Sequence, residues 1–195
     1  AGNERKPQFD IKKFTKYKDK IKYILLKDLP RHNNFYKKNW GPAWRRENLQ
    51  RNALSRGYEN SEPDDLIMIS DLDEIPNLEK KNLSNIASKI ILFEQKNFYY
   101  KFNLFLENFK WYGTKACKFK YLKSPQWLRN IKDKKFPFYR IDTLFSKNKY
   151  ISVKFIENGG WHFTNIKTAA EIEFKLKSYL HHREFDINPL SEDQI

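Results

Sequence analysis

Four apolar residues empty directly into three carboxylates in Asp65-Leu66-Ile67-Met68-Ile69-Ser70-Asp71-Leu72-Asp73-Glu74-Ile75-Pro76. A short apolar run bounded by turn residues reads as a buried β-strand. Side chains two apart in an extended segment point the same way, so Asp71 and Asp73 can converge on one ion. Carboxylates that converge at the end of a buried strand repel each other unless a cation sits between them. Open α/β sheets bind ligands beyond the carboxyl ends of their strands. The segment therefore predicts a site for a divalent cation and a phosphate group.

The rest of the chain can support such a site. Apolar residues make up 39% and aromatics 16% of 195 residues, which suits one domain with a core and excludes a disordered protein. The single cysteine, Cys117, excludes an internal disulfide framework and fits a reducing, cytoplasmic compartment. No apolar run approaches the ~20 residues needed to span a bilayer, and the N-terminal residues do not pattern as a signal peptide. A net charge of +14 attracts polyanions, whether nucleic acid, anionic lipid or nucleotide phosphates. The lysines are scattered, however, and travel with abundant Asn, Ile, Phe and Tyr, as a compositional bias would produce. Nucleic-acid recognition signatures are absent, so no nucleic-acid partner is expected.

Along the chain, Phe9, Phe14, Tyr17 and Ile21 recur at helical spacing, and Lys22–Leu26 reads as a short strand. Ala43 to Arg56 is a helix closed by Gly57. Leu66–Ser70 is the strand that ends in the acidic loop. Residues 77–88 pattern as a helix, with Leu78, Leu83, Ile86 and Ala87 available for packing. Lys89–Glu94 and Phe98–Leu106 read as strands rich in Ile, Phe and Tyr. The stretch 107–150 is aromatic and irregular, with a short helix near Pro125–Lys132. Strands at Ile151–Ile156 and Trp161–Thr164 flank Asn158-Gly159-Gly160, and Ala169–Leu180 is an amphipathic helix. Helix, turn, buried strand and acidic loop in that order predict an α/β fold with a mostly parallel central sheet flanked by helices. A single catalytic domain is expected. Ser191-Glu192-Asp193-Gln194 patterns as a capping box with no helix after it, and no strand precedes the first helix, so truncation at both ends is expected.

Three constellations carry the chemistry. In the first, Asp71 and Asp73 are the metal ligands. The loop is not an EF-hand, because Pro76 stands where that loop requires glycine. A haloacid-dehalogenase-like phosphohydrolase also places Asp-x-Asp after a buried strand, but usually follows it with Thr or Val and a glycine-containing turn. A nucleotide-sugar transferase uses such carboxylates to hold Mn²⁺ or Mg²⁺ against a pyrophosphate. A solvated acidic turn is the alternative without chemistry. In the second, Glu157-Asn158-Gly159-Gly160-Trp161-His162-Phe163 sets Trp161 and His162 on opposite faces of a strand. A neutral imidazole suits Mn²⁺, which makes His162 the third ligand, against the alternative of a packed histidine. His181 and His182 close the last helix and suit surface capping better than catalysis. In the third, Trp111-Tyr112-Gly113-Thr114-Lys115 and Gln126-Trp127-Leu128-Arg129 offer rings that stack on sugar or base. Lys115 and Arg129 offer charge to neutralise phosphate.

In order along the chain, Trp44-Arg45-Arg46-Glu47, Gln50-Arg51-Asn52, Pro63-Asp64-Asp65-Leu66-Ile67, Ser70-Asp71-Leu72-Asp73-Glu74-Ile75-Pro76 and Gly159-Gly160-Trp161-His162-Phe163 resemble glycosyltransferase family 17. The resemblance runs from about Lys6 to Glu184. It implies a GT-A-like fold, a nucleotide-sugar donor, a glycan acceptor, N-acetylglucosamine as the transferred sugar and inversion at the anomeric carbon. Family members begin with a further strand ahead of the segment matching Gly2 to Pro7. Eukaryotic members also carry an N-terminal membrane anchor, a pattern this sequence does not show.

The reading is then a metal-dependent inverting glycosyltransferase with Mn²⁺ or Mg²⁺ and a UDP-sugar donor. Asp73 ligates the ion, Asp71 shares it or binds the ribose, and His162 completes the set. Lys115, Arg129 and Trp161 contact the donor. Glu74 and Asp142 are the candidate general bases, because both lie near expected strand ends. A phosphohydrolase and a basic nucleic-acid-binding domain are the rivals.

Overall fold

The computed structural model describes residues 9–27, 41–79, 82–83 and 85–178. Its centre is a six-stranded sheet: β1 (Leu66–Ile69), β2 (Glu74–Pro76), β3 (Ile90–Tyr99), β4 (Phe105–Trp111), β5 (Lys115–Lys118) and β6 (Val153–Thr164). The strand order is β1-β5-β3-β6-β2, with β4 also on β3. Among the described residues, four α-helices accompany it: α1 (Gly41–Asn52), α2 (Pro125–Asn130), α3 (Asp142–Phe145) and α4 (Ala169–Ser178).

The fold is mixed α/β, but the expected mostly parallel sheet is corrected. Among the described residues, only β3 and β6 run parallel; the β1–β5, β2–β6, β3–β4 and β3–β5 pairs are antiparallel. The reason lies in the connections, since a parallel pair needs a long crossover, usually a helix. The described residues between Pro76 and Ile90 form turns and irregular backbone, not the expected helix. Leu83 and Ile86 still pack against the core. The chain passes from β1 to β2 through a four-residue loop and from β3 to β4 through a short hairpin.

Other elements fall near their expected places. The helix at 9–18 is a kinked 3₁₀ segment, Ile11–Lys20, and Lys22–Leu26 forms no strand. The helix expected from Ala43 is α1, continued by a 3₁₀ turn, Ala53–Gly57. Ser124 caps α2 by accepting from the Trp127 N–H, with Pro125 in the first turn. The strands expected on either side of Gly159-Gly160 are one strand, β6, whose register shifts opposite Phe93 and Gln95. A Cβ on Gly159 would lie 2.7 Å from the Ile156 carbonyl oxygen and 2.9 Å from the Glu94 nitrogen. The glycine pair therefore lets neighbouring backbone close in, without turning the chain away. His181, His182 and the Ser191–Gln194 capping box lie outside the described residues.

Two apolar clusters hold the sheet. Ile67, Ile69, Ile90, Leu92, Cys117, Leu128 and Ile131 fill one, while Ile91, Phe93 and Ala116 fill the other. Leu92 is fully buried, and its truncation to alanine would cost about 2–5 kcal/mol. The first cluster joins β1 and β5 to α2. The acidic loop therefore leaves β1 beside α2 on a rigid base.

Candidate active site

The acidic loop turns tightly between β1 and β2. The Glu74 N–H donates to the Asp71 carbonyl at 3.1 Å, and the Asp71 N–H donates to Glu74 Oε2 at 2.9 Å. Leu72 is thereby fully exposed at the apex, with Asp71 on one side of it and Asp73 on the other. Ser70 fixes the start of the loop, donating to the Glu74 carbonyl at 2.9 Å and sharing a 2.7 Å hydrogen bond with Thr114.

Glu74 points inward. Its side chain is 1% exposed, and a buried carboxylate needs a cation and a full set of donors. Arg129 supplies the charge, with Nη1 2.8 Å from Oε2 and Nη2 3.1 Å from Oε1. The Trp111 indole N–H donates to Oε1 at 2.9 Å. Arg129 also donates to the Gly113 carbonyl and, at 2.7 Å, to Asp71 Oδ2. A side chain at Gly113 would collide with the Glu74 carboxylate and the Trp111 indole nitrogen. Glycine at 113 is the condition for this packing.

Asp71 is held from two sides. Besides Arg129, Arg51 on α1 lies 3.4 Å from both Asp71 oxygens. Arg51 is itself aligned by Glu47 at 3.0 Å and Gln126 at 2.6 Å. Asn52 accepts from the Gln126 N–H at 3.0 Å, tying α1 to α2. Lys115 closes the network from below. It is buried and donates to the carbonyls of Arg129 and Ile131 at the end of α2. Burial, and secondarily the Arg129 charge, pull its pKa down to about 8.

Asp73 faces a different partner. Its Oδ2 is 3.7 Å from His162 Nε2, with the Asp73 side chain 44% exposed. The imidazole beside it holds the Asp73 carboxyl below its ordinary range, against the opposing effect of partial burial. The β2–β6 register sets Glu74 opposite His162 and Ile75 opposite Trp161. His162 therefore stands on the same side of the sheet as Glu74. Its ring stacks on Trp111 with centroids 4.6 Å apart and planes 14° apart. Thr164 Oγ1 sits 3.2 Å from Nε2. Trp111 thus touches Glu74 through its nitrogen and His162 through its face.

The expected residues divide accordingly. Asp71, Glu74, Lys115 and Arg129 share one network, and Asp73 and His162 form an adjoining pair. Asp71 and Asp73 have different partners: Arg51 and Arg129 hold Asp71, and His162 stands beside Asp73. Trp161 lies on the opposite side of the sheet from His162, half-exposed. Glu74 has no free face toward a substrate. Asp142, on α3, is bound by Arg140 and Lys149 at 2.8 Å each, and those cations hold its carboxyl down to about 2. It makes no ion pair with the acidic loop. Sequence reasoning missed Arg51 as a member of the site and offered Trp111 only as a ring for a ligand, not as the partner of Glu74 and His162. Both stood in recognised blocks, and a glycine inside an aromatic run at 113 was the available signal of close backbone approach.

A cleft of about 620 Å³ opens against this network, lined among others by Trp44, Tyr112, Lys115, Arg129, Lys132 and Asp133. Its size falls within the roughly 300–1,000 Å³ of small-molecule sites. Rings and cations together on its wall suit a ligand that is part aromatic and part anionic.

The glycosyltransferase family 17 profile matches residues 2–126, more than half of the chain, and the chain belongs to that family. Membership makes it a glycosyltransferase and implies a nucleotide-sugar donor and an acceptor. Neither the curated proteins nor the solved structures gave a significant match. The matched residues include Arg51, the acidic loop, Trp111 and Lys115. Arg129, Asp142, Trp161 and His162 lie beyond them, so Arg129 and His162 join the site on geometry alone. Among the described residues, no helix is long and apolar enough to cross a membrane.

Proposed function

We propose that the chain is a divalent-metal-dependent, inverting glycosyltransferase that moves a sugar from a UDP-sugar to a glycan acceptor, with N-acetylglucosamine the first sugar to test. The observation that carries this reading is the division within Asp71-Leu72-Asp73. One carboxylate is locked by Arg51 and Arg129, and the other stands half-exposed beside an imidazole.

Among the described residues no group of three or more His, Cys, Asp or Glu side chains is gathered to hold a metal ion. The Asp73–His162 pair nonetheless fits a partial shell. Two ligands each about 2.1 Å from one ion stand about 3 Å apart at a right angle and about 4 Å apart in line. The observed 3.7 Å falls between these limits. A carboxylate with an imidazole suits Mn²⁺, and cations of this kind commonly complete their shells with substrate phosphates and water. When bound there, the ion would supply Lewis-acid stabilisation of the departing nucleoside diphosphate.

The chain's own residues do the rest. Trp44 and Tyr112 line the cleft on which the base would stack, and Lys110 and Lys132 bring charge to its wall for the phosphates, while Arg129 and Lys115 are committed to the network behind it. Arg129 and Glu74 act by position: together they hold Asp71 and so fix the direction in which Asp73 leaves the loop. Trp111 keeps His162 from rotating by stacking.

The test is release of nucleoside diphosphate from a panel of nucleotide sugars with Mn²⁺ and oligosaccharide acceptors, repeated after chelation. Acceptor-dependent release from a UDP-sugar that stops on chelation supports the proposal. Release that survives chelation overturns the metal. Inorganic phosphate freed from phosphoesters without an acceptor replaces transfer with phosphohydrolysis.

A further inference from the structure

Between α2 and β6 the chain makes an excursion that no part of the site explains. Its ends meet at the root: the Lys132 N–H donates to the Asn148 carbonyl at 2.8 Å, and the Trp127 indole N–H donates to the Lys147 carbonyl at 2.8 Å. Five of the eight residues from 138 to 145 are large and apolar, and all five point outward. Phe138 and Phe145 are each 85% exposed, Leu144 75%, Tyr139 71% and Ile141 70%. Single exposed apolar residues are ordinary, but a contiguous group is not. Thr143 alone is buried in this stretch.

The surrounding charge is one-sided. Residues 132–149 carry six basic side chains, Lys132, Lys134, Lys135, Arg140, Lys147 and Lys149, against Asp133 and Asp142. Arg140 and Lys149 pair with Asp142, which leaves lysines in excess around an apolar tip. Part of the tip's backbone is satisfied internally. The Arg140 N–H donates to the Pro137 carbonyl at 3.1 Å, that of Thr143 to Arg140 at 3.1 Å and that of Leu144 to Ile141 at 3.0 Å. A segment with internal hydrogen bonds, exposed rings and flanking lysines loses little on entering the headgroup region of a bilayer.

We propose that the loop 132–149 docks the protein on an anionic lipid surface, with Phe138, Tyr139, Ile141, Leu144 and Phe145 entering the interface and the lysines facing the headgroups. Charge complementarity selects this occupant, since anionic lipid attracts a basic rim that a neutral surface would not. Lys132, Asp133 and Asn148 at the root also line the cleft. Docking would therefore bring the mouth of the cleft to the membrane surface and favour acceptors presented there. The proposal does not depend on donor or metal.

The test is cosedimentation of the full chain, without nucleotide or metal, with vesicles of phosphatidylcholine alone and of phosphatidylcholine with phosphatidylglycerol. Binding is expected to the mixed vesicles only and to weaken as salt is added. Phe138→Ser with Phe145→Ser is expected to lower the affinity roughly tenfold or more. Lys134→Gln with Lys135→Gln is expected to abolish the preference for anionic lipid. Both pairs are exposed, so unchanged thermal unfolding will separate lost docking from lost folding. Absence of binding by the unaltered protein overturns the proposal, as does an equal loss in Phe102→Ser, an exposed ring outside this loop. Sequestration of the loop by a second copy of the chain, seen as a dimer that the Phe138/Phe145 variant dissolves, also overturns it.

Discussion

Asp71 and Asp73 stand two residues apart on one loop and live in different electrostatic worlds. Asp71 is held by guanidinium groups from two helices, in a network that also contains a carboxylate sealed from water. Asp73 has an imidazole beside it at a distance longer than a hydrogen bond, with the Lys175 charge acting more weakly, and nearly half of its side chain meets solvent. Two acidic residues of one motif are therefore not interchangeable. One sets the geometry of the loop and the other is available to a ligand.

The comparison is broken most severely by removing the shared anchor. Arg129→Ala leaves Glu74 buried without its cation and is expected to cost about 3–5 kcal/mol in urea unfolding. Arg129→Lys should recover part of this, because a lysine can pair but cannot reach Glu74, Asp71 and the Gly113 carbonyl together. Gly113→Ala comes next, at about 1–3 kcal/mol, because its methyl group must displace the Glu74 carboxylate or the Trp111 ring. Asp71→Asn should cost less than about 1 kcal/mol, since its ion pairs are partly exposed.

Asp73→Asn is expected to disturb stability least and to show the contrast through pH. Its carboxyl is held below the ordinary value in the folded chain. The associated stabilisation is thus present above the unfolded-state carboxylate pKa and is lost as pH falls through the lower native value. Urea midpoints of the wild type and Asp73→Asn, measured from neutral to acid pH, should approach each other on the acid side. A gap that widens on acidification would show the opposite sign of coupling to His162.

The sequence made one half of this contrast legible. An apolar run ending in acids locates β1 and its loop, and alternation along a strand places His162 and Trp161 on opposite sides. The partners of Asp71 were less accessible, because Arg51 and Arg129 reach it across 20 and 58 residues of chain. The sheet was misread for a related reason. β1 pairs with β5, joining residues 66–69 to 115–118, and no local pattern reports such a pairing. Leu78, Leu83 and Ile86 have helical spacing, yet two of them reach the core from irregular backbone. At Gly159 and Gly160 the turn signal was real chemistry with another use: a Cβ on Gly160, whose φ is +137°, would run into the Ile75 carbonyl.

The most direct measurement is calorimetric titration of UDP, with and without Mn²⁺, into the wild type, Asp73→Asn and His162→Ala, each first shown to be folded. Metal-dependent binding in the wild type, lost in both variants, is the expected result. UDP binding that is equally strong in Asp73→Asn, or indifferent to Mn²⁺ in the wild type, would contradict the assignment of Asp73 and His162 as the pair that receives the ion and its diphosphate.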